Sequence, residues 1–171
     1  MGTTKWFDRK FDFSFGPESY TSVYQRLKQA PGLLKDTLAY LPEEILVYKP
    51  DGAWSIKEHA GHLSILEQIW RIRFRDIHEM KPVLTPADLD NRATTEGAFN
   101  GYTVPTLVEK FVEERNATLS FLDSIDALDI SRASLHPRLK QPMRIIDLAC
   151  FVAEHDDHHI SVIREISKKR Q

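Results

Sequence analysis

The chain reads as an all-α protein, a four-helix bundle, and three observations lead there. Apolar residues recur at three- and four-residue spacing in four long segments, as in amphipathic helices. No segment shows the strong two-residue alternation of a half-buried strand. Long connections holding Pro, Gly and Asn separate the segments, so the bundle is not a simple up-down-up-down one.

Residues 17–29 and 31–41 read as helix, broken or kinked at Pro31-Gly32. Pro31 has no N–H, and its ring would clash with the Leu27 carbonyl in a straight helix. Pro42 closes this element. Residues 43–53 read as a loop, with Lys49-Pro50-Asp51-Gly52 as a turn signal. The second helix has the clearest start in the chain. Ser55 stands as N-cap and Glu58 at the third helical position, the pattern of a capping box. Trp54 precedes the cap and is placed to fold onto His59. This helix runs to about His78, and Lys81-Pro82 and Thr85-Pro86 end it.

Residues 81–102 form a long polar connection ending in Asn100-Gly101. Its length predicts a crossover that lets the second and third helices run parallel. The third helix is expected over about 103–125, with Leu107, Phe111, Leu119 and Leu122 among its apolar positions. Residues 126–142 form another connection, broken by His136-Pro137 and Gln141-Pro142. The fourth helix is expected from Met143 to Lys168. Lys168, Lys169 and Arg170 at its end complement the helix dipole. The domain organisation is an N-terminal extension over 1–16 and a single domain over 17–171.

With 171 residues, 42% apolar and 28% charged, the chain is long enough for one domain with a real core. A formal charge of -2 carries no basic excess, so nucleic-acid binding is not expected. Cys150 is the only cysteine, which excludes an intramolecular disulfide and fits a reducing cytoplasm. Its neighbours Leu148, Ala149, Phe151 and Val152 suggest a packing role. Met1 to Gly16 holds no apolar run long enough for a signal peptide or a membrane span. Gly2 does not mark myristoylation, because position 6 is Trp. The sequon Asn116-Ala117-Thr118 falls inside the third helix and is set aside. HExxH, Cys-rich fingers, Gly-rich phosphate loops and G-x-S-x-G are absent. That removes zincins, zinc fingers, nucleotide-binding folds and α/β-hydrolases.

The chemistry concentrates in Glu154-His155-Asp156-Asp157-His158-His159. His155 and His159 lie four apart on one helical face. That face is also the apolar stripe Ile145, Leu148, Ala149, Val152, Ile163 and Ile166. Two imidazoles in a core stripe mean either a metal ion or hydrogen-bonded core histidines. A third ligand must come from elsewhere. His62 is preferred, since it faces the same way as Leu66 and Ile69. His59 lies near the helix start, where a surface or staple role is expected. His158 points away from the pair, towards solvent or a supporting position. His78 and His136 are assigned to the surface. Asp156 lies close to the stripe, as a partner for a ligand's ring N–H, a proton acceptor, or half of a salt bridge at the bundle edge. Glu154 and Asp157 are expected to face solvent, and Glu58 to cap its helix.

Trp54-Ser55-Ile56-Lys57-Glu58-His59-Ala60-Gly61-His62-Leu63 resembles the W-S-x-x-E-x-x-x-H-L segment of the DinB/YfiT-like superfamily. Ala153 to Ile160 resembles that family's H-x-x-x-H segment. Arg115, within Glu114 to Leu119, resembles its third-helix pattern. The resemblance spans about Tyr20 to Ile166 and implies an up-down-down-up four-helix bundle, often a homodimer. It also implies that His62, His155 and His159 bind a divalent metal, commonly zinc or nickel, with one coordination position left open. Members include S-transferases and isomerases that use low-molecular-weight thiols, and others assigned as metal-dependent hydrolases. The expected function is therefore a metal-dependent enzyme acting on a small molecule by thiol S-transfer or hydrolysis, with Asp156 as candidate base. The alternative is a non-catalytic, metal-stabilised stress-response or binding module. The extension Met1 to Gly16 lies outside the resemblance. Its Trp6, Phe7, Phe11, Phe13 and Phe15 predict packing over the bundle or a partner.

Overall fold

The computed structural model describes residues 4–169, so Arg170, Gly2 and the first residues of the extension lie outside it. After 3₁₀ turns at Trp6–Asp8 and Pro17–Ser19, helix α1 spans Tyr20–Leu38. It runs as one element through Pro31, so of the break or kink expected there the break does not occur. The ring costs one backbone hydrogen bond, but Pro31 is buried beside Ala30 and Leu34, and that packing holds the helix together.

A single-turn helix, α2 (Glu43–Leu46), and a turn at Pro50–Gly52 occupy the predicted loop. Ile45 and Leu46 are buried, which accounts for the extra helical turn. Asp51 and Gly52 carry positive φ at the turn signal, at 47° and 76°. Helix α3 spans Ile56–His78, starting as predicted. Ser55 Oγ accepts from the Glu58 N–H at 3.1 Å, and Glu58 Oε2 accepts from the Ser55 N–H at 2.8 Å.

The long connection holds a short helix, α4 (Arg92–Glu96), and a turn at Phe99–Gly101. It lies close over α3. A Cβ on Gly61 would stand 2.3 Å from the Phe99 ring, so only glycine allows this approach. Helix α5 spans Val104–Asp123, with the Thr103 side chain capping it and the sequon inside it. Strands β1 (Ala133–Leu135) and β2 (Pro142–Arg144) then pair antiparallel, Ser134 opposite Met143. At three residues each they are too short to show as alternation in the sequence. Helix α6 spans Ile145–Lys168. Asp147 opens it, accepting from the Arg144 N–H at 2.8 Å and pairing with the Arg144 guanidinium at 2.7 Å.

The four long helices form a ring of contacts, with α1 and α3 each packed on α5 and α6. Two buried clusters fill it. Val23 and Leu27 join Phe74 and Ile77, Leu119 and Leu122, and Leu148 and Val152. Leu34 and Leu38 join Ile56 and Leu63, Leu107 and Phe111, and Ile160 and Ile163. Between them lies a buried polar belt: Glu67 on α3, Arg115 on α5, and His155, Asp156 and His159 on α6. The stripe expected on the fourth helix is buried throughout.

The N-terminal arm packs on the bundle. Phe11, Phe13 and Phe15 are partly buried and alternate with exposed Asp12 and Ser14. Arg144 Nη2 donates to the carbonyls of Phe13 (3.0 Å) and Phe15 (2.9 Å), which pins the arm to the start of α6. Cys150 is half-buried, and burial raises its thiol pKa, in keeping with packing rather than reactivity. Among the described residues no helix is long and apolar enough to cross a membrane.

Candidate metal centre

His62, His155 and His159 converge, each offering a ligand atom within 4.8 Å of the others. His155 Nε2 lies 3.3 Å from His62 Nε2 and 3.1 Å from His159 Nε2. Two nitrogens about 2.0–2.1 Å from one tetrahedral ion stand about 3.3 Å apart. The spacing is therefore that of ligands around a shared cation.

The outer ring nitrogens explain the orientation. His62 Nδ1 lies 2.8 Å from Thr94 Oγ1, and Thr94 is carried by α4 in the connection pressed onto α3. His159 Nδ1 lies 2.8 Å from His59 Nδ1. When His62 and His159 donate through these Nδ1–H groups, their Nε2 lone pairs both turn inward. A single Nε2–H on His155 cannot satisfy both. A cation at the centre can, and the donor set fits one. His155 Nδ1 is buried without a hydrogen-bond partner among the described residues. The ring is held by packing instead, with Trp6 5.0 Å and Trp70 5.6 Å away, centroid to centroid.

Burial keeps these rings neutral. It lowers His62 to about 3 and His59 to about 4, and holds His155 and His159 well below the usual histidine range. Neutral imidazole is the form that ligates a metal.

The trio faces a cavity of about 350 Å³, walled by Trp54, Trp70 and Phe151 and closed on one side by Trp6 from the N-terminal arm. Asp156 does not line it. Its carboxylate lies 2.8 Å from Arg115 in the bundle interior, not at a bundle edge, and Arg115 also pairs with Glu67 at 2.7 Å. Burial pushes Asp156 up to about 6 against the pull of Arg115. The base role expected for Asp156 thus has no path to the cavity in this geometry.

His136, expected at the surface, is buried, and so is His59, for which a surface or staple role is expected. His59 supports His159 and meets the Trp54 ring at 5.5 Å, the staple contact expected of Trp54. Its position one turn before His62 on the same helix is the signal that marks it. His136 lies on the hairpin loop and lines the cavity together with Arg73 and Arg138. Arg73 continues the face of His62, Leu66 and Trp70, and that spacing is legible. His136 and Arg138 sit in a loop, where no period reveals them. His78 is partly exposed and lies 3.4 Å from Asp129. His158 is half-buried against Trp6. Glu154 is half-buried and bridges Arg9 and Arg26, while exposed Asp157 pairs with Arg26 at 2.5 Å.

A family model, that of the DinB superfamily, matches residues 26–163. Among solved structures the chain is similar to YfiT from Bacillus subtilis, described as a probable metal-dependent hydrolase with an unusual four-helix bundle topology. The identity is 22%, the TM-score 0.78, and the match covers 95% of this chain and 93% of that one. At that identity the likeness establishes the fold. No curated protein matches the chain.

Proposed function

The chain belongs to the DinB superfamily, and from its site we propose a metal-dependent enzyme that holds a divalent cation, zinc or nickel, on His62, His155 and His159. The observation that carries this is the convergence of three inward-facing Nε2 atoms at 3.1 and 3.3 Å on the wall of a cavity. When bound, such a cation supplies Lewis acidity at neutral pH, polarising an electrophile or easing deprotonation of a water or thiol. Thr94 and His59 orient the ligating rings. Trp54, Trp70 and Phe151 provide an apolar wall, to which Trp6 of the N-terminal arm adds.

The reactions proposed are hydrolysis of a small molecule or transfer of a small thiol onto it. The bundle is proposed to be up-down-down-up. In support, the starts of α1 and α6 share one core cluster with the ends of α3 and α5. Homodimerisation is likewise proposed, and light scattering tests it.

The deciding assay compares metal-loaded and chelated protein on activated esters and amides, and on small thiols with monobromobimane. Turnover that chelation abolishes and metal restores is expected. Metal that raises the melting temperature, with no turnover on any substrate, would instead assign the site to a non-catalytic binding module.

A further inference from the structure

Arg73 and His136 meet donor to donor. His136 Nδ1 accepts the backbone N–H groups of Arg138 (3.2 Å) and Leu139 (3.1 Å), so the neutral ring carries its proton on Nε2. That Nε2–H faces Arg73 Nη1, itself only a donor, at 3.3 Å. Both side chains are buried. An acceptor placed against both would satisfy them.

Arg138 adds a second unmet donor. Its Nη2 is buried with no hydrogen-bond partner among the described residues, while its guanidinium stacks on Phe7 at 5.2 Å. Arg73 Nε donates to the Thr85 carbonyl at 2.9 Å. Among the described residues no carboxylate pairs with Arg73 or Arg138. Asp76 is taken by Lys81 and the Thr85 N–H, both at 2.7 Å. Asp88, the acid on the cavity wall, accepts from the N–H groups of Asp90 and Arg92, both at 3.1 Å. Burial, with Arg138 nearby, lowers Arg73 to about 10 against the pull of the Asp76 carboxylate, and it stays charged at neutral pH. A buried cation with no carboxylate in direct contact is costly, and an incoming anion lowers that cost.

Arg73, His136 and Arg138 line the same cavity as the histidine trio. The Trp70 indole stands between, 5.5 Å from the Arg73 guanidinium and 5.6 Å from the His155 ring. We propose that Arg73, His136 and Arg138 form an oxyanion-binding subsite that docks the carboxylate or phosphate of a small-molecule ligand across Trp70 from the histidine trio. This deepens the function proposed above by naming the substrate class as an anionic small molecule. It rests on that function only for the chemistry after binding.

Full-length protein is titrated by calorimetry with succinate, methyl phosphate and neutral succinamide, both as purified and after metal is stripped with EDTA and the EDTA is removed by dialysis. Succinate or methyl phosphate is expected to bind in both conditions, at least tenfold tighter than succinamide, and whichever binds tells carboxylate from phosphate. Arg138→Gln alters a half-exposed loop residue, so its fold is expected to survive, as circular dichroism checks. It and Arg73→Gln each weaken anion binding at least tenfold. The subsite is overturned if neither anion binds, if succinamide binds as well, or if folded Arg138→Gln binds unchanged. Anion binding that is lost in the metal-stripped, EDTA-free protein also overturns it, because the anion is then a metal ligand. The stripped protein needs no metal, so failure of the metal site and failure of this subsite are read separately.

Discussion

Arg115 and Asp156 form a buried ion pair, 2.8 Å apart, at the level of the histidine trio. Arg115 also reaches the Leu27 carbonyl at 2.8 Å and Glu67 at 2.7 Å, so one guanidinium ties α5 to the other three long helices. Despite full burial, Asp156 and Glu67 hold it charged, with its pKa raised. Asp156 follows His155 directly in α6, so the pair lies beside the ligand positions without touching them.

Asp156→Asn removes one of the two carboxylates on Arg115. Breaking a buried pair costs about 3–5 kcal/mol. Urea unfolding is expected to show a loss of that order, while the folded variant keeps its metal affinity. A fully stable variant with abolished turnover would restore Asp156 as a base.

Thr94→Val keeps the shape of the side chain but removes the oxygen that orients His62 Nδ1. Loss of a partner that positions a ligand typically costs about 10–100-fold in metal affinity. Competition with a fluorescent chelator is expected to show that loss. An unchanged affinity would mean that His62 needs no support from α4.

Gly61→Ala places a Cβ against ring carbons of Phe99 that cannot swing aside cheaply. Overpacking of this kind costs about 1–3 kcal/mol. A lower melting temperature is expected, along with weaker metal binding, because the strained connection also carries Thr94. A fully stable variant would show that the connection yields.

Burial, with Arg73 and Arg138 beside it, lowers the His136 pKa to about 3 in the folded chain, against about 6.5 unfolded. Between these values the unfolded chain binds the extra proton, so stability rises with pH across this window. Its contribution is complete above about pH 6.5 and declines on acidification towards pH 3. His136→Asn is expected to flatten the stability curve between pH 4 and 6.5 by about one proton. An unchanged slope would mean that His136 titrates normally.

The four long helices are legible in the sequence because each buries one face, and the resulting period survives any tertiary detail. The capping box at Ser55 and Glu58 is legible because it is local chemistry. The break that Pro31 offers does not occur, since burial outweighs the ring's local cost. Of the site, His62, His155 and His159 can be read from helical spacing joined to family resemblance. His59 and Arg73 carry the same helical signal and can be recovered from it. Thr94, His136 and Arg138 cannot, because irregular connections bring them to the cavity and their positions depend on packing. Asp156 lies on the core side of the helix, as expected, but which neighbour it would face is set by Arg115 on another helix.

The central claim is that the three histidines hold a divalent cation. Elemental analysis of protein purified without a histidine tag tests it most directly. About one zinc or nickel ion per chain is predicted, falling to trace levels in His155→Ala that stays folded. Substoichiometric metal that His155→Ala leaves unchanged would contradict the account and return the trio to ordinary core histidines.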